Sequence, residues 1–302
     1  MTTSARTADR PLDWYNRYAR HIALEEVGES GQLALNAASV LVIGTGGLGS
    51  PVAYYLTAAG VGTLGLVDFD TVSLNNLQRQ ILHGTSDEGR PKVQSAWETL
   101  REINPEVTVR LYQEKLTTAN ALDLVKEYDL VVDASDNFNT RFLINDVCVQ
   151  AKKPLVFGAV LQFAGQVTVF TQEEDCGCYR CLFPEAPPPE LVPTCAEAGI
   201  FGVTPGVIGS LQASQVLILI LSRSGHQAGK ILKNRLLVYD GKEAAFRTIQ
   251  LARNPECPVC SQPDFDFRQV EYLDTCVIPS SSETAKRTKV QQVDLDIAMV
   301  ES

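Results

Sequence analysis

Short apolar runs, each closed by a glycine or an acid, recur along the first half of the chain. Residues 39–43 (SVLVI) are apolar and mostly β-branched, the pattern of a strand covered on both faces. Residues 48–59 carry apolar side chains at helical spacing, and 64–67 form a second apolar run ending in Asp68. Strand patterns return at 107–112, 129–134, 154–160 and 165–170, with helical periodicity at 92–101, 119–127 and 140–151. Alternation of this kind predicts an α/β fold with a Rossmann-like, largely parallel sheet. Upstream, 12–24 reads as an amphipathic helix capped by Asp13, with Arg17, Arg20 and His21 on its polar side, and 31–36 as a second short helix.

The period is lost after residue 172. CGCYRCLFPEAPPPELVPTC is rich in cysteine and proline and reads as a crossover loop at the sheet edge. A helix at 204–222 and a hairpin at 236–251 around Gly241 follow, so the sheet is expected to continue as a mixed one. The expected organisation is a single unit over 1–262. Its nucleotide-binding part spans about 12–172, and the crossover loop with a cysteine-rich part spans about 173–262. From Ser261 on, the chain holds eight acids and four bases with few aromatics, so 263–302 is expected to be a flexible acidic tail.

Charge narrows the possible partners. Thirty-six acids against 26 bases give a formal net charge of −10, which disfavours a general nucleic-acid or membrane-surface binder. The N-terminus lacks the apolar core of a signal peptide. The most apolar run, 207–221, is interrupted by Ser210, Gln212, Ser214 and Gln215 and falls short of the roughly 18 residues of a membrane span. A cytoplasmic protein is therefore expected, and its eight cysteines read as metal ligands or reactive thiols before disulfides.

The candidate chemistry begins at Gly44-Thr45-Gly46-Gly47-Leu48-Gly49, between the first strand and its helix. Strand, glycine turn, helix, strand and acid form the nucleotide-binding fingerprint, in which backbone N–H groups approach phosphate and Asp68 accepts from ribose hydroxyls. A turn kept only for close helix–strand packing would look the same, and the stretch does not separate NAD from ATP. Asp70, Asn75, Asn76, Arg79 and Gln80 crowd the following loop. If that loop were helical, Arg79 would share a face with Asn75 and Asn76. Lys92 opens a helix just after Pro91, where a cation is electrostatically disfavoured unless an anion sits beside it. Asp133, Asp136 and Asn137 follow the strand at 129–134, where ligands bind in open α/β sheets. An acid there suits Mg²⁺ on phosphate oxygens; equally, Asp136 or Asn137 could cap the next helix.

Cys178-Tyr179-Arg180-Cys181 and Cys257-Pro258-Val259-Cys260 are two CxxC pairs. Two such turns close a tetrahedral zinc site with no open position, hence a structural one. Redox-active pairs are the rival reading, and Cys176 is an alternative ligand within the first pair. Cys148 reads as a core residue. Cys195, after the proline-rich loop and before a helix, is a candidate reactive thiol; nothing distinguishes Cys276.

Together GTGGLG, DFDTVSLNNLQRQ, GRPKV, ASDN, CYRC, TCAEAG and CPVC resemble, in that order, the MoeB/ThiF adenylyltransferases, bacterial relatives of ubiquitin-activating enzymes. The similarity covers about 12–262 and is nearest to the molybdopterin-synthase branch; the tail has no counterpart. It implies ATP-dependent adenylation of the C-terminal glycine of a small ubiquitin-like sulfur-carrier protein (MoaD/ThiS-like, ending in Gly-Gly), with pyrophosphate released. By resemblance, Gly44, Gly46, Gly47 and Gly49 would line the nucleotide and Asp68 would bind ribose. Asp70 and Gln80 would belong to the same site. Asn76, Arg79 and Lys92 would hold the triphosphate, and Asp136, beside Asn137, would coordinate Mg²⁺. Arg20 resembles the arginine that reaches the ATP of a partner subunit, implying a homodimer. Cys178, Cys181, Cys257 and Cys260 resemble the family's zinc ligands. Cys195 resembles a cysteine that some relatives link covalently to the carrier.

The chemistry agrees with the residue list. The carrier's carboxylate is already ionised at neutral pH, so no catalytic base is needed; the chain has only His21, His83 and His226. No sulfurtransferase domain is recognised, so sulfur is expected from a separate sulfurtransferase or cysteine desulfurase. The pathway stays open among molybdenum cofactor, thiamine, cysteine, tRNA thiolation and peptide natural products. The competing readings are an NAD-dependent oxidoreductase, which would leave Arg79, Lys92 and the cysteines without purpose, and a non-catalytic carrier-binding scaffold.

Overall fold

A computed structural model describes residues 11–185 and 198–272. Eight strands form one sheet: β1 (Ser39–Ile43), β2 (Thr63–Val67), β3 (Thr108–Tyr112), β4 (Leu130–Asp133), β5 (Leu155–Leu161), β6 (Ala164–Phe170), β7 (Arg235–Asp240) and β8 (Ala245–Gln250). Their spatial order is β3-β2-β1-β4-β5-β6-β7-β8. The first five are parallel, with Val42 opposite Leu66 on one side and Val132 on the other, and β5 to β8 pair antiparallel. The mixed sheet expected from the pattern is thus present. The order reverses between β1 and β4, the place where such sheets open a crevice.

The β1 sequence explains its burial. Val40 and Val42 point into a core with β2, α3 (Gly49–Ala58), α4 (Lys92–Ile103) and α8 (Val203–Arg223). Leu41 and Ile43 point into a second core built on α5 (Ala121–Lys126) and α6 (Phe138–Ala151). A strand packed on both faces needs apolar residues at every position, not alternation. Among the described residues, α8 alone is long and apolar enough to cross a membrane. Here it lies across β5 and β6, with Ile208, Val216 and Leu219 buried, the packing of a helix within the protein's own core.

Several local expectations are corrected. Pro11, not Asp13, occupies the cap of α1 (Leu12–Ile22); Asp13 sits inside the first turn, where its charge faces the helix N-terminus. The second helix, α2 (Gly28–Ala37), starts three residues earlier than expected, because Gly28 at φ +59° turns the chain into it. Residues 74–76 form one 3₁₀ turn, so Asn75 and Arg79 do not share a helix face; instead Arg79 Nη1 donates to Asn75 O at 3.0 Å. The chain also stays packed past residue 262. Phe267 is fully buried against α6, and Tyr272 OH donates to Asp146 Oδ2 at 2.8 Å. Beyond 272 the expected tail, including Cys276, lies outside the described residues.

Candidate functional site

The carboxyl ends of β1, β2 and β4 converge on one cleft. Gly44 leaves β1 at φ +96°, and a Cβ there would sit 2.6 Å from Ala134 O. Gly49 opens α3 so close to the turn that a Cβ would meet Gly44 O at 1.9 Å. These two glycines allow the helix N-terminus to reach the cleft, where its N–H groups favour an anion. Gly44, Gly46 and Gly47 line the cleft, whereas Gly49 packs beneath it.

Asp68 follows β2. Its Oδ2 accepts from Thr45 N and Thr45 Oγ1, each at 2.9 Å, and Oδ1 accepts from Asp70 N at 3.0 Å. Oδ1 keeps one lone pair for a ligand hydroxyl. Lys92 is the first residue of α4, with Pro91 as cap, and is buried. The anion beside it is Asp70, whose Oδ2 lies 2.9 Å from Nζ. An acid of the chain itself thus offsets the cost of a cation at the helix start. Arg79 and Gln80 also line the cleft, Gln80 buried against Gly46.

Past β4, Asn137 caps α6 by accepting from Thr140 N at 2.9 Å. That settles which residue caps the helix, and Asp136 stands exposed at the cleft with no side-chain hydrogen bond among the described residues. Asp133 does not line the cleft. It is buried, accepts from Ser135 N at 2.9 Å and Ser135 Oγ at 2.6 Å, and burial pushes its carboxyl above the usual range despite nearby Arg141. It braces the loop that carries Asp136.

Asn76 does not line the cleft; its Nδ2 donates to Asn75 Oδ1 at 3.0 Å. Arg20 is exposed near the end of α1 and does not line the cleft of its own chain. Cys195 lies outside the described residues. Several lining residues were not expected: Phe69, Lys115, Leu116, Thr140, Arg141, Ile200 and Pro205. Arg141 is buried, with its guanidinium 5.3 Å from the Phe138 ring; on α6 and only five residues beyond Asp136 in the loop before it, it was the most findable of them.

The two CxxC pairs meet. Cys178 stands at the cap of α7 (Tyr179–Leu182), which also carries Cys181, and Cys257 and Cys260 lie in the loop after β8. All four sulfurs lie within 4.8 Å of one another, with Cys178–Cys257 at 3.6 Å and Cys181–Cys260 at 3.5 Å. Sulfurs about 3.8 Å apart are what a tetrahedral Zn–S₄ centre requires. Backbone N–H groups of Cys178 and Asn254 point at Cys181 Sγ, each at 3.4 Å, as they would toward a thiolate. Cys176 stays apart, its thiol turned to Val169 O, so it is not the alternative ligand. Cys148 is buried and its thiol is pushed up by burial, as a core residue's would be.

A ThiF family profile matches residues 18–259. The chain belongs to the ThiF family. It is 51% identical over 265 residues to the "Sulfur carrier protein adenylyltransferase" of Thermus thermophilus, covering 86% of this chain and 96% of that protein. It is 44% identical over 276 residues to the "Adenylyltransferase and sulfurtransferase MOCS3" of Anopheles gambiae, covering 91% of this chain. It spans only 61% of that longer protein. Among solved structures, E. coli MccB superposes with a TM-score of 0.72 at 23% identity, over 83% of this chain and 74% of MccB, a likeness of fold. The family gives no support to the oxidoreductase alternative.

Proposed function

We propose that this ThiF-family chain is an adenylyltransferase that uses ATP to activate the C-terminal glycine of a small ubiquitin-like sulfur-carrier protein ending in Gly-Gly. The carrier carboxylate attacks the α-phosphorus, the bond to the β-phosphate oxygen breaks, and pyrophosphate leaves with that electron pair. The observation that carries this reading is the meeting, in one cleft, of the glycine turn, Arg79, Lys92 and an exposed Asp136. The Thermus relative, a sulfur carrier protein adenylyltransferase by name, supports it.

The nucleophile arrives ionised, so the chain must supply position and positive charge. Of the cations lining the cleft, Lys92 and Arg79 would hold the polyphosphate, and Asp68 and Asp70 would be the acids on the ribose side. Asp136, beside Asn137, would hold Mg²⁺ on the phosphate oxygens, and the metal would offset charge on the leaving pyrophosphate. Asn76 would have to turn from Asn75 to reach the triphosphate. Arg20 would serve the cleft of a second copy in a homodimer. The apolar groove beside it, lined by Leu24, Tyr55, Leu217 and Ile218 near His21, supports that pairing. Zinc on Cys178, Cys181, Cys257 and Cys260 would pin the loop after β8 to α7 without taking part in chemistry. A covalent role for Cys195, a separate sulfur donor and a cytoplasmic location complete the proposal. The biosynthetic pathway follows from the carrier.

Mass spectrometry of the carrier after incubation with enzyme and ATP·Mg²⁺ tests this. An increment of one AMP on the Gly-Gly terminus is expected, and its absence with several such carriers would favour the scaffold reading.

A further inference from the structure

His83 is buried beside the cleft, and the proposed chemistry leaves it without a task. Its ring bridges two elements, with Nε2 3.1 Å from Thr45 O in the glycine turn and Nδ1 2.9 Å from Ser95 Oγ on α4. A carbonyl oxygen can only accept, so Nε2 carries the proton; in the neutral ring Nδ1 is then the lone pair open to the Ser95 hydroxyl, which also has the Asp87 carboxylate within hydrogen-bond reach. One neutral tautomer satisfies both contacts. Burial holds the imidazole pKa below its ordinary value, and the charge of Lys92 on α4 acts the same way. The bond to Thr45 O, Asp68 at the end of β2 and Asp87 in a second 3₁₀ turn (Thr85–Asp87) pull it upward. The ring therefore stays neutral at neutral pH.

Three pieces of the cleft meet at this ring. Thr45 is already held by its N–H and hydroxyl on Asp68, so His83 secures the remaining, carbonyl side of that residue. Ser50 Oγ also donates to Thr45 O, at the longer distance of 3.4 Å. The segment of His83 itself carries Arg79 and Gln80, and it is tied to α4 by Thr99 Oγ1, which donates to Leu82 O at 2.8 Å. Ser95 lies one turn beyond Lys92 on α4.

We propose that His83 is a positioning residue for the nucleotide: its neutral ring clasps the glycine turn to the helix that begins with Lys92, fixing turn, Arg79 and Lys92 at one spacing. This rests on the ATP reading above. Without the ring the turn keeps its covalent path but loses its tie to α4, and each cation then meets the polyphosphate independently.

Two substitutions separate this role from simple packing. In His83→Gln the amide nitrogen can stand where Nε2 stood and still donate to Thr45 O. In His83→Asn the amide matches Nδ1, so the Ser95 contact survives and the Thr45 contact is lost. ATP·Mg²⁺ binding is measured by calorimetry on the full chain, alongside ATP–pyrophosphate exchange. Loss of one buried hydrogen bond should weaken ATP binding and raise KM for ATP about tenfold in His83→Asn. Its kcat should stay within about twofold, and His83→Gln should bind ATP within about threefold of the parent protein. Equal loss in both variants, or none in His83→Asn, overturns the proposal. Failure of the parent protein to bind ATP removes the nucleotide reading itself, a separate result. Imidazole nitrogen NMR gives an arm independent of ATP. A neutral Nε2–H tautomer, persisting at acidity where exposed histidines have charged, is expected; an Nδ1–H tautomer or a charged ring at neutral pH overturns the clasp.

Discussion

Lys92 Nζ lies 2.9 Å from Asp70 Oδ2, and the lysine is buried while the aspartate stands half exposed at the cleft. The Lys92 backbone N–H also donates to Asp70 O at 3.0 Å, so one residue holds both ends of the lysine. The ammonium is therefore oriented before a phosphate arrives, and an incoming phosphate oxygen shares it with Asp70.

Asp70→Asn leaves that ammonium buried with a neutral partner. Because Asp70 is half exposed, the expected loss of stability is about 1 kcal/mol, below the range for a fully buried charged hydrogen bond. Thermal unfolding with and without ATP·Mg²⁺ checks this, and the nucleotide should narrow the difference between variant and parent. An unchanged melting temperature in the absence of nucleotide would contradict the pairing.

Asp136 and Asn137 are adjacent but should separate cleanly. Asn137 caps α6, whereas Asp136 makes no side-chain hydrogen bond among the described residues. Asp136→Ala should leave the melting temperature unchanged and lower adenylation by about a hundredfold or more. Asn137→Ala should cost about 1 kcal/mol of stability and affect turnover far less. Parallel melting curves and exchange rates distinguish them, and retained turnover in Asp136→Ala would refute the metal assignment.

Most of the cleft was legible because its parts are short and local. The glycine turn, Asp68, Asp70 and Asp136 each sit within a few residues of an apolar strand end, so strand pattern alone located them. Lys115, Leu116, Ile200 and Pro205 arrive through chain reversals that no local motif marks. Asn76 and Arg79 suggested a helix by spacing, yet Asn75 and Ser73 side chains bond within the loop and a single 3₁₀ turn forms instead. The segment after 262 reads as acidic on average. That average hides Phe265, Phe267 and Tyr272, which find an apolar face on α6. Arg20 does not line the cleft of its own chain, so its expected role rests on the proposed homodimer.

The cysteine cluster gives a metal prediction. Purified protein should carry about one zinc per chain, since four thiolates within 4.8 Å of one another fit a single tetrahedral ion. Removing it with a strong chelator, or replacing Cys178 by Ser, should lower the melting temperature. Acid should release the ion, because the ligands must be deprotonated to bind. Elemental analysis finding no metal in freshly purified protein would contradict the assignment.

Phe267 tests where the folded unit ends. Fully buried against α6, its replacement by Ala should cost about 3 kcal/mol. Denaturant unfolding measures it, and a change near zero would restore the view that the tail begins at 263.

The most direct test of the whole account is ATP–pyrophosphate exchange by the purified protein, with and without a small carrier ending in Gly-Gly. Exchange that appears only with the carrier, and disappears when its terminal glycine is removed, is the predicted result. Absence of both ATP binding and exchange, with any carrier tried, would contradict it.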